Sequence, residues 1–164
     1  MPFEGSYLWR IRQKIGNELV LMPGASVVVE NDEREVLLLR RSDTGEWCVP
    51  AGAAEEGDSF ARTAINELRE EAGLIVDESD LVPFGCLSDP DIHVIEYPSG
   101  DITHCFAMCF AVRSWTGDPA HDREEMSGLA FCNPSHFPTP MHRPAARVCE
   151  LYLRFKNTGR FQVC

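Results

Sequence analysis

Apolar residues recur at helical spacing in three stretches of the chain and in short runs or alternations elsewhere. Near the start, Tyr7, Ile11 and Ile15 share one helical face, and Gly16 is a stop signal, which predicts a short helix over residues 5–16. Phe60, Ala64, Leu68 and Ala72 form an i, i+4 row flanked by Ala61 and Ile65. Either Asp58 or Ser59 can cap the N-terminus of that helix, and Gly73 stands where a left-handed C-cap glycine belongs. A last helix is expected over 144–156, with Pro144 in its first turn and Gly159 just past its end. Between the helices, β-rich runs at 25–30 and 35–40 flank Asn31-Asp32-Glu33-Arg34 and predict a hairpin. A second hairpin is expected from 92–97 and 102–112 around Pro98-Ser99-Gly100-Asp101. Shorter strands are expected at 47–49, 81–87 and 129–132. Strands, a helix, strands and a helix imply the α/β class, with a mixed sheet covered by helices. No internal repeat, low-complexity block or linker interrupts residues 1–164, so one domain is expected.

Composition narrows the partners. Asp and Glu number 26 against 15 Lys and Arg, a net charge of −11. That balance argues against a grip on nucleic acid or docking on an anionic membrane, and suits a site that holds divalent cations. No apolar run is long enough to cross a bilayer, and the first residues lack a secretory leader pattern. The seven cysteines are scattered, with no C-x-x-C, so neither a zinc site nor a disulfide framework is expected. A reducing, cytoplasmic setting follows. Cys105 and Cys109 lie four apart in a strand-like run, and core packing is expected for both. The N-terminal helix presents Trp9 and Ile11, on which a homodimer could form.

The chemistry concentrates between Pro50 and Leu74. Glu67, Glu70 and Glu71 fall within roughly 100° of arc on the middle helix. Three carboxylates at that spacing repel one another unless something positive binds there. Mg²⁺ accepts carboxylates, waters and phosphate oxygens in one shell. Glu70 and Glu71 are expected to face water. The loop Pro50-Ala51-Gly52 precedes the helix, and its carbonyls can add a metal ligand.

This segment resembles the signature of the Nudix hydrolase family, G-x5-E-x7-R-E-U-x-E-E-x-G-U, where U is a bulky aliphatic. Here it reads Gly52, Asp58, then Asn66-Glu67-Leu68-Arg69-Glu70-Glu71-Ala72-Gly73-Leu74, matching seven of nine specified positions over 23 residues. Trp47-Cys48-Val49-Pro50-Ala51-Gly52 resembles the family's W-x-x-P-G-G entry, and the likeness runs on to 131–138. The resemblance implies a Nudix-type α/β/α sandwich and a role for Mg²⁺ or Mn²⁺. By it, Glu67, Glu70, Glu71 and the carbonyl of Ala51 or Gly52 hold metal, and Glu67 or Glu71 assists as base. A further acid comes from a later loop, where Glu125 is the candidate and Glu124 the reserve. Three positions depart from the pattern. Asp58 replaces a Glu. Asn66 replaces an Arg that orients the helix glutamates, for which Arg62 or Arg69 would have to compensate. Ala51 replaces a glycine and would be strained at positive φ.

The reading is a metal-dependent hydrolase that cleaves the diphosphate of a nucleoside diphosphate linked to another group, with Glu67, Glu70 and Glu125 as catalytic residues. Arg40, Arg41, Arg62 and Trp47 are the expected substrate contacts. Tyr7, Trp9, Phe84 and Tyr97 are further aromatics that could stack on a base. ADP-ribose, a nucleotide sugar and an oxidised nucleoside triphosphate all fit. Asp58 and Asn66 motivate the alternative, a ligand sensor on the same fold with little turnover.

Overall fold

In the computed structural model, which describes residues 4–121 and 125–164, β1 (Val20–Val29) forms the middle of the molecule. From Gly24 onward every residue of β1 is buried, because both faces of the strand are covered. It runs parallel to β7 (Ile102–Val112) from Val20 opposite Thr103 to Val29 opposite Val112. β4 (Ala51–Ala53) pairs antiparallel with its other edge. Beyond β7 lie β5 (Val82–Leu87), antiparallel, and β9 (Gln162–Val163), parallel to β5. β6 (Val94–Glu96) pairs with the first residues of β7, completing the expected second hairpin. A smaller antiparallel sheet joins β3 (Trp47–Cys48), β2 (Val36–Arg41) and β8 (Met126–Cys132).

The first expected hairpin is not one. β1 and β2 share a single bridge, Glu30 opposite Val36, and then part into different sheets. The turn itself is as read: Glu35 donates its N–H to the Asn31 side chain and Arg34 takes a φ of 66°. The strands diverge because β1 is apolar on both faces and is filled by β4 and β7.

Helices α2 (Phe60–Ala72) and α4 (Arg143–Thr158) cover opposite faces, giving the α/β/α sandwich. Ala64, Leu68 and Ala72, all fully buried, pack on Ala25, Val27 and Val29. Val148, Cys149, Leu151 and Tyr152 pack on Val28, Phe84 and Ala111. Phe84 is fully buried there, against Tyr152 and Phe155, so it cannot stack on a ligand. Cys105 and Cys109 are buried as expected, and all seven cysteines are free. The Glu30 carboxylate, 1% exposed, joins α4 to the end of β1: it accepts from Tyr152 Oη at 3.1 Å and from Lys156, and pairs with Arg113 at 3.3 Å. A short α3 (Pro90–His93) occupies what was expected to be the start of a strand. The first helix, α1 (Tyr7–Ile15), is present, but its apolar row faces out: Tyr7 and Ile15 are each 36% exposed and its buried residue is Arg12. Among the described residues no helix is long and apolar enough to cross a membrane.

Leu68 fixes α2 to the sheet. Leu68→Ala should cost about 3 kcal/mol of stability through lost contacts and the cavity left behind. Urea unfolding should show it as a lowered midpoint at unchanged slope.

Candidate functional site

α2 begins at Ser59, whose Oγ accepts the Arg62 N–H at 3.1 Å, so Ser59 and not Asp58 is the cap. It ends at Gly73, which is left-handed with φ 68°. Ala64, Leu68 and Ala72 anchor the helix, although Phe60, at the start of the expected row, is 41% exposed. The three glutamates then differ in depth. Glu70 is exposed and pairs with Arg69 at 3.1 Å. Glu67 is half-buried. Glu71 is only 8% exposed, contrary to the expectation that it faces water.

Both deeper carboxylates rest on β4. Ala51 donates its N–H to Glu71 Oε2 at 2.9 Å. Glu67 lies directly over Gly52, where a Cβ would sit 2.0 Å from Glu67 Oε1. Gly52 in turn lies against Gly24, where a Cβ would sit 2.3 Å from the Gly52 carbonyl oxygen. Neither glycine has a positive φ, so both are required by space and not by backbone conformation. Ala51 also has an ordinary φ, which removes the strain expected of it. Gly24 escaped the sequence reading. A glycine inside an apolar strand was its signal, because it often marks a close backbone approach.

Burial of two neighbouring acids without a resident cation has an electrostatic consequence. Glu67 is pushed up to about 7, first by desolvation and then by the charges of Glu70 and Glu125. Glu71 is raised well above the usual carboxylate range by burial and by Glu67, with the Ala51 N–H and Arg41 working the other way. Glu125 is exposed, and its charge reaches both of them; its carbonyl accepts the Ser42 N–H at 2.9 Å. Glu124 lies outside the described residues. Oxygen donors that repel one another and are costly to ionise suit a hard divalent cation. Among the described residues no three such side chains already converge as a closed ligand set, so waters and substrate oxygens would complete a Mg²⁺ shell.

The four expected substrate contacts fare differently. Arg41 is held by Asp43 through two hydrogen bonds, 2.9 and 2.7 Å, and its charge reaches Glu71, Cys48, Tyr97 and His142. All four lie within electrostatic reach of that guanidinium, and burial pushes Cys48 and Tyr97 each up to about 12. Arg40, the next residue, instead donates to the Gly45 carbonyl at 3.2 Å. Arg62 is exposed, and among the described residues its guanidinium has no partner, so it does not orient the glutamates. Trp47 packs against the apolar cluster under α4. The two departures in the box meet each other: Asn66 Nδ2 donates to Asp58 Oδ2 at 3.4 Å.

An α/β/α sandwich in which the acidic face of one helix overhangs a strand of small residues is the arrangement of an α/β domain with an acidic site. The NUDIX domain model matches residues 20–152, and the chain belongs to the Nudix family. A Bacillus subtilis (strain 168) protein named "Putative 8-oxo-dGTP diphosphatase" is 30% identical over 117 residues, covering 70% of this chain and 68% of that one. Among solved structures, the MutT NUDIX hydrolase from Burkholderia pseudomallei superposes with a TM-score of 0.62 at 18% identity, covering 80% of this chain and 98% of the other. An ADP-ribose pyrophosphatase from Streptococcus suis 89-1591 gives 0.65 at 17% identity, covering 87% and 98%. These structures establish the fold; the family makes the chain a Nudix hydrolase.

The raised acids predict a pH dependence. An acid whose folded pKa is about 7 holds its proton longer than the unfolded chain does, so stability falls as pH rises from about 4.5 to 7. Without divalent cation, the melting temperature should fall by several degrees between pH 5 and pH 8. Mg²⁺ should raise it more at pH 8 than at pH 5, because binding there displaces less proton from Glu67. Gly52→Ala should abolish most of that Mg²⁺ increment by displacing Glu67, which calorimetry with and without Mg²⁺ reads directly.

Proposed function

We propose that this chain is a Mg²⁺-dependent pyrophosphohydrolase, with Mn²⁺ as a substitute, that cleaves the diphosphate linkage of a nucleoside diphosphate joined to a second group. The observation that carries the proposal is the pair Glu67, half-buried over Gly52, and Glu71, buried against the Ala51 N–H, with no cation bonded to either among the described residues. Glu67, Glu70, Glu71 and the Ala51 or Gly52 carbonyl would hold the metal. When bound, divalent cations neutralise charge on the diphosphate and acidify water.

The chain's own groups supply the rest. Glu67, poised near neutrality, accepts a proton from the attacking water, with Glu125 as the second base at the open side. Glu71 is held in place by the Ala51 N–H through one oxygen, leaving the other for a ligand. Arg41 presents a fork now bonded to Asp43, and a phosphate is a stronger bidentate partner for it. Tyr97 and His142, within electrostatic reach of Arg41, are the candidates to meet the group beyond the phosphates. ADP-ribose, a nucleotide sugar and an oxidised nucleoside triphosphate match the names of the relatives above and of a UDP-X diphosphatase of the same fold. The free cysteines fit a cytoplasmic location. The sensor reading is weaker, because the Asp58 and Asn66 that motivated it hydrogen-bond to each other and leave the metal-facing glutamates intact.

A panel of diphosphates hydrolysed in ¹⁸O-labelled water tests the proposal. With Mg²⁺, label should enter one of two phosphorylated products, and p-nitrophenyl phosphate should be a poor substrate. Label in a non-phosphorylated alcohol, or tight binding without turnover, overturns it. Glu67→Gln should cost on the order of 10²- to 10⁴-fold in kcat if it is the base. Glu70→Gln should cost less than Glu71→Gln, since Glu70 is exposed and already paired with Arg69. Asn66→Arg should raise kcat with little change in KM, an effect confined to the transition state.

A further inference from the structure

The N-terminal helix α1 lies outside the family match, which begins at residue 20. Its attachment is unusual for an amphipathic helix. The one buried side chain is a cation, Arg12, so polar bonds and not apolar burial hold the helix in place. At its start, Tyr7 donates its N–H to both carboxylate oxygens of Glu55, at 3.0 and 2.9 Å. Arg10 donates to Glu56 at 2.8 Å. Toward its end, the Arg12 guanidinium donates to the carbonyls of Gly16 at 3.1 Å, of Glu18, and of Ile102 at 2.6 Å, and to Thr103 Oγ1 at 3.1 Å. It also pairs with the Asp101 carboxylate at 3.3 Å.

These attachment points flank the site. Glu55 and Glu56 belong to the segment between β4 and α2, three and four residues after Gly52. Asp101, Ile102 and Thr103 close the turn that begins at Tyr97, where Tyr97 donates its N–H to the Asp101 carbonyl at 2.9 Å and Ser99 Oγ donates to the Asp101 carboxylate at 2.7 Å. Asn17 packs on that turn too, leaving no room for a side chain at Gly100. Nine residues of helix, about 13 Å long, therefore tie the loop that carries Gly52 to the turn that carries Tyr97.

We propose that α1 is a strut that sets the separation of these two walls, with Arg12 as its positioning residue, and that it acts on binding of the group beyond the diphosphate and not on the chemical step. The identity of the ligand rests on the pyrophosphohydrolase reading; the strut itself does not. Removing the guanidinium takes its donor from the carbonyls of Gly16, Glu18 and Ile102 and its cation from the Asp101 carboxylate, which then keeps Ser99 Oγ, so the Tyr97 turn loses its tie to α1. Lysine keeps the charge but cannot reach acceptors on two sides at once.

The test compares the full chain with Arg12→Met, Arg12→Lys and Glu55→Ala by hydrogen exchange and by steady-state kinetics on the best diphosphate with Mg²⁺. Arg12→Met should lose protection at residues 7–15, 54–58 and 97–103 while 60–72 stay protected. Its KM should rise about 10-fold with kcat within about threefold, the signature of lost binding and not of lost transition-state contact. Arg12→Lys should fall between the two. Glu55→Ala frees only the surface end and keeps the test decisive if Arg12→Met loses protection throughout. Protection lost from α1 alone, an unchanged KM, or a fall in kcat at constant KM would each overturn the strut. If no diphosphate is turned over, the pyrophosphohydrolase reading falls, and the exchange pattern still decides the strut.

Discussion

The site depends on one steric constraint: three chain segments meet where two of them, β1 and β4, have no room for a side chain. Gly24 on β1 admits the Gly52 carbonyl, and Gly52 on β4 admits the Glu67 carboxylate. The apolar row of α2 then presses the helix onto β1 while its acidic face overhangs β4. Burial of Glu71 and half-burial of Glu67 follow from that approach. So does their reluctance to ionise, because the same packing that fixes their oxygens removes their water. Burying these acids is a folding cost, and the core of Ala64, Leu68 and Ala72 supplies the free energy that offsets it.

An acidic chain that binds an anionic substrate needs its positive charge in particular places. Arg41 is the guanidinium whose charge reaches the buried acid Glu71, and Asp43 keeps it aligned in the absence of phosphate. Exchange of Asp43 for a phosphate oxygen keeps both donors satisfied, so binding there sacrifices little. The box substitutions follow a similar logic of pairing. A shorter acid at 58 faces a neutral amide at 66, so Asp58 keeps a hydrogen-bond partner in the helix without an arginine. Orientation of Glu71 falls instead to the Ala51 N–H, a donor no substitution of side chains at 51 would remove except proline.

Elements with a single dominant period were legible, and those whose role depends on distant partners were not. The i, i+4 row and the Gly73 stop placed α2 within a residue of where it lies. The run 25–30 was read as one arm of a hairpin, yet its lack of polar alternation was the mark of a strand buried on both faces, with neighbours supplied by remote parts of the chain. α1 was placed correctly and oriented wrongly. Periodicity locates an apolar stripe, but a guanidinium with five acceptors nearby outweighed three moderately apolar side chains in deciding which face turned inward. Residue types in the box picked out the acidic face of α2, whereas the depth of Glu71 is a property of the contact between segments and has no local signature.

The chain contains its own contrast for what the glutamates mean. Glu30 is buried more deeply than Glu71, yet it is met by Lys156, Arg113 and the Tyr152 hydroxyl. Its charge is answered within the fold, and its work is to lock α4 to the sheet. Among the described residues Glu67 and Glu71 have no such ion pair, and Arg41 is the cation whose charge reaches Glu71. Their close electrostatic neighbours include each other and two further carboxylates, Glu70 and Glu125, and the donor given to Glu71 is one backbone N–H. A fold able to neutralise Glu30 with two cations could have treated the second cluster in the same way. That contrast, an acidic cluster held on the small residues of β4 where Glu30 is answered by two cations, is what the proposed binding of an external cation would account for.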